Sequence, residues 1–400
     1  MTDRPQAVIV DAVRTATGRG KPGGALHGVH PVDLLATTIR ALVDRTGIDA
    51  ALVDDVIAGC VSQVGDQSIN VARNAALTAG LPESVPATSI DRQCGSSQQA
   101  AHFAAQGVIA GAYDVVIACG VESMSRVPMG SSVAGGDPFS PLRASRYPEG
   151  LVGQGISAEL LAARWKFDRT ALDEYAARSH ARAAQTAAEG GFASEIIPVR
   201  VTTADGTERD HLVDETVRPG TTAAGLGELR PSFYEPSMAQ RFPEISWSIT
   251  AGNSSPLTDG ASALLIMSEE RCAALGLRPR ALFHSFAVAG DDPILMLTGV
   301  IPATRKVLAR SGLSIAEIDA YEVNEAFASV PLVWQTEFGA DPERLNPRGG
   351  AIALGHPLGA SGTKLMTTLL NQLEATGGRY GLQTMCEGGG MANATIIERL

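Results

Sequence analysis

The sequence predicts an α/β protein, and three observations carry that prediction. Short apolar runs alternate with longer amphipathic ones along most of the chain, as strands alternate with covering helices. The order of elements over roughly the last 120 residues echoes that of roughly the first 120, as two similar halves would. A middle stretch breaks the rhythm, as an insertion would. With 400 residues and 44% hydrophobic content the chain can bury one large core or several ordinary ones.

In the first part, Ala7–Val13 reads as a strand and Pro31–Thr46 as a helix with proline in its first turn. Val53–Val61 reads as a strand, Ile69–Ala79 as a helix and Pro86–Ile90 as a short strand. Ser96–Ala110 is an Ala-rich helix and Asp114–Gly120 a buried strand. The middle is irregular over Arg126–Tyr147 and Asp205–Ser248, with one clear helix at Arg169–Ala188 and a strand-like Glu195–Arg200. Alternation resumes with strand Ser262–Met267, helix Ser268–Leu275, strand Arg280–Ala289 and helix Ala303–Ser311. Strand Ala320–Val323, helices Ala326–Phe338 and Gly359–Ala375, and strands Gly381–Met385 and Ala392–Glu398 complete the chain. In the echo, Val56–Ser62 corresponds to Tyr321–Ala328, and Asp114–Glu122 to Arg379–Glu387.

Charge and cysteine usage narrow the function. A net charge of −11 disfavours nucleic-acid binding. Cys60, Cys94, Cys119, Cys272 and Cys386 are scattered, odd in number and without a C-x-x-C pair. Neither a disulfide framework nor a metal site is expected, and a reduced cytoplasmic compartment fits. Met1–Gln6 lacks a leader pattern, and the chain has no apolar run long enough to span a membrane.

Five segments could carry chemistry. Cys94 lies between a strand and an Ala-rich helix, where unpaired N–H groups and the helix dipole would lower a thiol pKa. The competing reading is an ordinary buried cysteine. Arg348–Gly362 is glycine-rich around His356, but its spacing fits no nucleotide-binding motif. It reads as a loop that fixes one imidazole. Met385–Ala394 places Cys386 at a strand end before Gly388–Gly390, whose bare backbone N–H groups suit an oxyanion hole or simply a sharp turn. Asn324–Phe327 lies at another strand end, with Asn324 able to orient a water or carbonyl and Glu325 placed to brace the loop. Ile249–Ala263 is a polar loop.

Together these segments resemble the thiolase family over nearly the whole chain, from Arg14–Leu26 through Gly120–Met124 to the last strand. The resemblance implies a five-layer α/β/α/β/α core of two βαβαβαββ halves. Residues 1–122 with 249–275 would form the N-terminal half and 276–400 the C-terminal half. Residues 123–248 would form an inserted loop domain over the coenzyme A site. It implies that Cys94 accepts the acyl group, His356 is its base and Cys386 is the second acid/base. Asn324 (through a water) and His356 would hold the thioester oxygen in one oxyanion hole, and the N–H groups of Cys94 and Gly388 would form the other. Coenzyme A would enter as co-substrate, with no permanently bound cofactor. Arg218 would sit near its nucleotide, Ser255 near the pantetheine, and Ala326 and Phe327 along the tunnel. The partners implied are acyl-CoA and CoA, with a homodimer or homotetramer as the assembly.

Several positions depart from family habit. Gly225 and Glu228 stand where Ser and Lys are common, which weakens the nucleotide-end assignment. Gly153 and Gln154 replace the His-Met of short-chain biosynthetic members. The tail CEGGGMAN resembles a bacterial degradative subgroup, some of whose members take bulky acyl chains. The expected activity is therefore CoA-dependent cleavage of 3-ketoacyl-CoA. The alternatives are acetoacetyl-CoA formation by an acetyl-CoA acetyltransferase and a non-catalytic CoA- or lipid-binding protein.

Overall fold

The computed structural model describes residues 5–203 and 205–400. The first part comprises β1 (Ala7–Thr15), β2 (Gly18–Arg19), α1 (Pro31–Thr46), β3 (Asp55–Gly59), α2 (Val71–Ala79), β4 (Ala87–Ile90), α3 (Ser96–Ile109) and β5 (Val115–Ser123). The chain then leaves the sheet through α4 (Pro141–Arg146), α5 (Gln154–Trp165), α6 (Arg169–Ala188), β6 (Ile196–Ile197), the β7 (Val199–Thr202)–β8 (Glu208–His211) hairpin, α7 (Ala223–Gly227) and α8 (Pro236–Arg241). It returns with β9 (Thr258–Ser268), α9 (Glu269–Ala274), β10 (Ala281–Gly290), α10 (Val300–Ser311), β11 (Ala320–Val323), α11 (Ser329–Phe338), α12 (Ala351–Leu354), α13 (Ser361–Thr376), β12 (Tyr380–Glu387) and β13 (Met391–Arg399).

The strands run in the order β11-β12-β13-β10-β1-β9-β5-β3-β4. Only the pairs Val8↔Leu282 and Ile9↔Ala281 join β1 to β10. The path is therefore two sheets meeting at one seam. On one side β3 and β5 are parallel and β9 and β1 follow antiparallel. On the other, β11 and β12 are parallel and β13 and β10 follow antiparallel. This equivalence is the echo in the sequence. Helices α3 and α13 pack between the sheets, α1 and α2 cover one outer face, and α10 and α11 cover the other.

The two halves differ at one edge. The partner expected beside β11 shrinks to the single bridge Tyr321↔Leu345. Prolines at 342 and 347 flank it, and proline cannot extend a ladder. Asn346 adopts φ +45° and supplies the missing pairing from its side chain. Its amide accepts from Val323 N–H (2.9 Å) and donates to the Val323 carbonyl (2.9 Å).

Element boundaries in the sheets fall within a few residues of expectation. Pro31–Thr46 ends at Gly47 with φ +66°, the left-handed cap that glycine favours. The helix expected from Ala326 begins instead at Ser329, because Ala326–Ala328 bends back to the Ile249–Ala263 loop through Ser255 N–H to the Ala326 carbonyl (3.0 Å). The stretch left unassigned between Tyr147 and Arg169 holds an unforeseen buried helix, α5. Its spacing of Ile156, Leu160 and Leu161 is the signal that could have revealed it.

Candidate active site

The glycines of Arg348–Gly362 serve close packing between the halves as much as loop freedom. A Cβ on Gly359 would lie 2.6 Å from the Val121 carbonyl oxygen and 2.7 Å from that of Gly59. A Cβ on Gly362 would lie 2.0 Å from the Gln98 nitrogen on α3. Glu122, buried at the end of β5, clamps this junction. Its carboxyl accepts from Gly359 N–H (2.9 Å), Val61 N–H (2.9 Å), Ser62 N–H (3.1 Å) and the Gln67 amide (2.8 Å). Glu325 braces the same loop from behind. It accepts from Ile352 N–H (3.0 Å), Tyr175 (2.9 Å), Ser179 (2.7 Å) and Asn346 (2.9 Å). The loop is thereby tied to both halves and to α6.

His356 sits in this clamped loop, 4% exposed. Ser361 Oγ donates to the Pro357 carbonyl (2.8 Å) and lies 2.6 Å from His356 Nδ1. Its one proton is committed, so Nδ1–H donates to it and Nε2 keeps a lone pair; the network assigns this tautomer. Asn324 Nδ2 stands 3.3 Å from Nε2, and Asn324 Oδ1 is buried without a partner among the described residues. Burial, then the Lys364 charge, holds the imidazole down to about 3. It is neutral at pH 7.

Cys94 occupies a tight turn between β4 and α3. Gln93 before it has φ +48°, and the Gly95 and Ser96 amides close the turn onto the Arg92 and Gln93 carbonyls (3.1 Å each). Left-handed backbone at a non-glycine residue stores strain of order 1 kcal/mol. The N–H groups of Cys94 and Gly388 both point at the Cys94 sulfur and favour its thiolate. Cys386, 1% exposed at the end of β12, faces the same sulfur.

The expected lowering of the Cys94 pKa is reversed in the free protein. Burial first, and Glu387 second, push the thiol up to about 12, outweighing the two N–H groups. Cys386 is likewise raised by burial and by Cys94. Both thiols therefore rest protonated. No hydrogen bond joins Cys94 to His356 among the described residues.

Glu387 was not singled out from the sequence. Its carboxyl is buried, lacks a hydrogen-bond partner among the described residues and packs against Gly95, where a Cβ would lie 1.9 Å from Oε1. Burial raises its pKa well above the ordinary carboxylate value. An acidic residue beside glycine in the sequence gives no sign of this.

A cavity of about 250 Å³ opens onto Cys94 and Gly388, covered by Met129, Gly130, Ser132 and Gln154 from the inserted segment. Ser255, Ala326 and Phe327 lie together, joined by the Ser254↔Phe327 bridge and by Phe233 edge-on to Phe327 (5.8 Å). Arg218 stands apart, its N–H on His180 Nδ1 (3.2 Å). A larger apolar cavity of about 540 Å³, between the end of α6 and Leu212–Pro219, includes none of these residues. Among the described residues no His/Cys/Asp/Glu cluster could hold a metal, and no helix is long and apolar enough to cross a membrane.

Family models decide what this arrangement belongs to. The model described as Thiolase, N-terminal domain matches residues 7–270, and Thiolase, C-terminal domain matches residues 277–399. The chain belongs to the thiolase family. Among its relatives is the steroid 3-ketoacyl-CoA thiolase FadA6 of Mycobacterium tuberculosis, 49% identical over 99% of this chain and 94% of that one. A 3-ketoacyl-CoA thiolase of Serratia proteamaculans is 45% identical over 98% of this chain and 99% of its own. The crystal structure of the Bacillus anthracis acetyl-CoA acetyltransferase superposes with a TM-score of 0.88 at 35% identity, covering 99% of each chain.

Burial of neutral imidazoles has a measurable consequence. His102, between the sheets, has its Nε2 hydrogen-bonded with Thr395 Oγ1 (2.7 Å) and is held down to about 3, first by burial. The unfolded chain takes up this proton below its ordinary value of 6.5 and the native one does not. Stability from this group is thus full above that value and lost as pH falls toward 3. Between pH 7 and pH 5 wild type is expected to lose about 2 kcal/mol more than His102→Gln, from 1.5 units at about 1.4 kcal/mol each. Urea unfolding at the two pH values measures it; equal losses would show that His102 is charged in the fold.

Proposed function

We propose that this thiolase cleaves 3-ketoacyl-CoA with CoA into acetyl-CoA and an acyl-CoA two carbons shorter. The observation that carries the reading is the convergence of two buried thiols, Cys94 and Cys386, with the Cys94 and Gly388 N–H groups aimed at the Cys94 sulfur. The 44–49% identity to chains named 3-ketoacyl-CoA thiolase supports the substrate class.

His356 Nε2 takes the Cys94 proton as substrate is seated, and the thiolate attacks the 3-keto carbon. That oxygen becomes an oxyanion held by the N–H groups of Cys94 and Gly388. The C2–C3 bond breaks, leaving acyl-Cys94 and an acetyl-CoA enolate. Cys386 gives its proton to the enolate carbon. His356, now carrying Nε2–H, and Asn324 through a water hold the enolate oxygen. The conversion of base into donor explains why a neutral imidazole is useful here. The incoming CoA thiol gives its proton to the Cys386 thiolate and attacks acyl-Cys94, freeing the shortened acyl-CoA, and the departing Cys94 thiolate takes its proton back from His356 Nε2. In reverse, Cys386 removes the α-proton and the same groups make acetoacetyl-CoA from two acetyl-CoA.

Residues 123–248 act as a loop domain over the CoA site, between halves formed by 1–122 with 249–275 and by 276–400. Ser255, Ala326 and Phe327 line the pantetheine path, with Arg218 at the nucleotide end. CoA is co-substrate and no cofactor is retained. The assembly is a homodimer or homotetramer in the cytoplasm, where five free buried cysteines persist.

Initial rates with acetoacetyl-CoA and longer 3-ketoacyl-CoAs, varied against CoA, test the reading. Parallel double-reciprocal plots and acetyl-CoA release with the longer chains are expected. Activity confined to acetoacetyl-CoA would favour the acetyl-CoA acetyltransferase. Absence of CoA-dependent cleavage of any of them would leave a non-catalytic binding protein.

A further inference from the structure

The cavity at Cys94 is unexpectedly polar for a site that receives an acyl chain. Ser62, Asp91, Gln93, Ser132 and Gln154 line it, against only Val61, Met129 and Leu358 among the larger apolar side chains. None of Arg218, Ser255, Ala326 or Phe327, the residues proposed for the CoA path, lines it, which fits the acyl side of Cys94 rather than the CoA side.

Its polar groups are only partly spent within the protein. Asp91 accepts from Gln93 N–H (2.6 Å) and the Gln93 amide (3.4 Å). Among the described residues the Gln154 amide has only the weak thioether of Met129 at 4.0 Å. Ser62 and Ser132 have no side-chain hydrogen bond among the described residues, although Ser62 is 2% exposed. A plain hydrocarbon chain would strip water from these groups and return nothing. An acyl group with its own oxygen would replace that water.

We infer that this site is built for 3-ketoacyl-CoAs whose acyl portion bears a further hydroxyl or ketone oxygen, read by Gln154 and Ser132. The inference rests on the thiolase activity proposed above and names its substrate class. Both residues come from the inserted segment, which places substrate choice on the cover and bond cleavage on the core. A ketone oxygen accepts from the Gln154 amide or the Ser132 hydroxyl. A hydroxyl can also donate to Gln154 Oε1 or Asp91.

The test compares kcat/KM for two probes of equal length. One is the plain eight-carbon 3-ketoacyl-CoA; the other is the same chain with a keto or hydroxyl group on its penultimate carbon. Wild type is expected to favour the oxygen-bearing probe by about tenfold or more, since sites with hydrogen-bonding groups discriminate against analogues that leave them unpaired. In the double variant Gln154→Leu/Ser132→Ala the ratio is expected to fall to about one. Reading a ratio within each protein removes any effect of the variant on folding or on overall rate. Equal or better use of the plain chain by wild type overturns the inference, and so does a ratio that survives in the double variant. Acetoacetyl-CoA serves as control. If it and both probes go uncleaved, the thiolase activity itself fails; if cleavage proceeds with the plain chain preferred, only this inference fails.

Discussion

Cys94→Ala is expected to abolish cleavage, with kcat falling by about 10⁴-fold or more, the scale on which losing a covalent nucleophile costs an enzyme. The variant removes one sulfur from a side chain 8% exposed, and neither N–H group aimed at that position depends on the side chain for its placement. Its thermal unfolding should stay close to wild type, so the loss reports on chemistry. Intact-mass measurement after incubation with acetyl-CoA should show an acetyl adduct on wild type and none on the variant. Turnover within tenfold of wild type would remove Cys94 from the mechanism.

Cys386→Ala should separate the two half-reactions. Forming acyl-Cys94 from an acyl-CoA exchanges one thioester for another and requires no proton on carbon. Breaking the C2–C3 bond releases an enolate that must be protonated, which is the work assigned to Cys386. Its thiol is held in the protonated form by burial and by the nearby Cys94 sulfur, which suits an acid. Cleavage should fall by about 10² to 10⁴-fold, the usual range for removing a general acid. Acetyl labelling of Cys94 should persist. A variant that loses labelling together with cleavage, or keeps both, would contradict separate roles for the two thiols.

The sheet and its repeat were legible because strand and helix periodicities are local properties. Ala320–Val323 and Arg169–Ala188 appear with the boundaries expected from the sequence. The lost edge strand at Leu345 was not legible. Its replacement depends on the Asn346 side chain reaching both backbone groups of Val323, a contact across 23 positions of chain. Helix α5 went unread because it closely follows the Ser-, Pro- and Gly-rich Arg126–Tyr147 and its apolar period is short.

From the sequence alone, the segments bearing Cys94, Asn324, His356 and Cys386 stood out, because each couples a reactive side chain to a strand end, a glycine-rich loop or a helix start. Tertiary structure decided what those side chains are at rest. The helix start argued for a lowered Cys94 pKa, yet burial between two sheets, with Glu387 beneath, raises it to about 12. The sign of that shift depends on how much water the packed halves exclude, which no local pattern encodes. The His356 tautomer and the polarity of the cavity over Cys94 were likewise settled only by the fold. Ser361 stands at the start of α13, five positions beyond His356 in the loop, and the cover residues Ser132 and Gln154 arrive from the inserted segment.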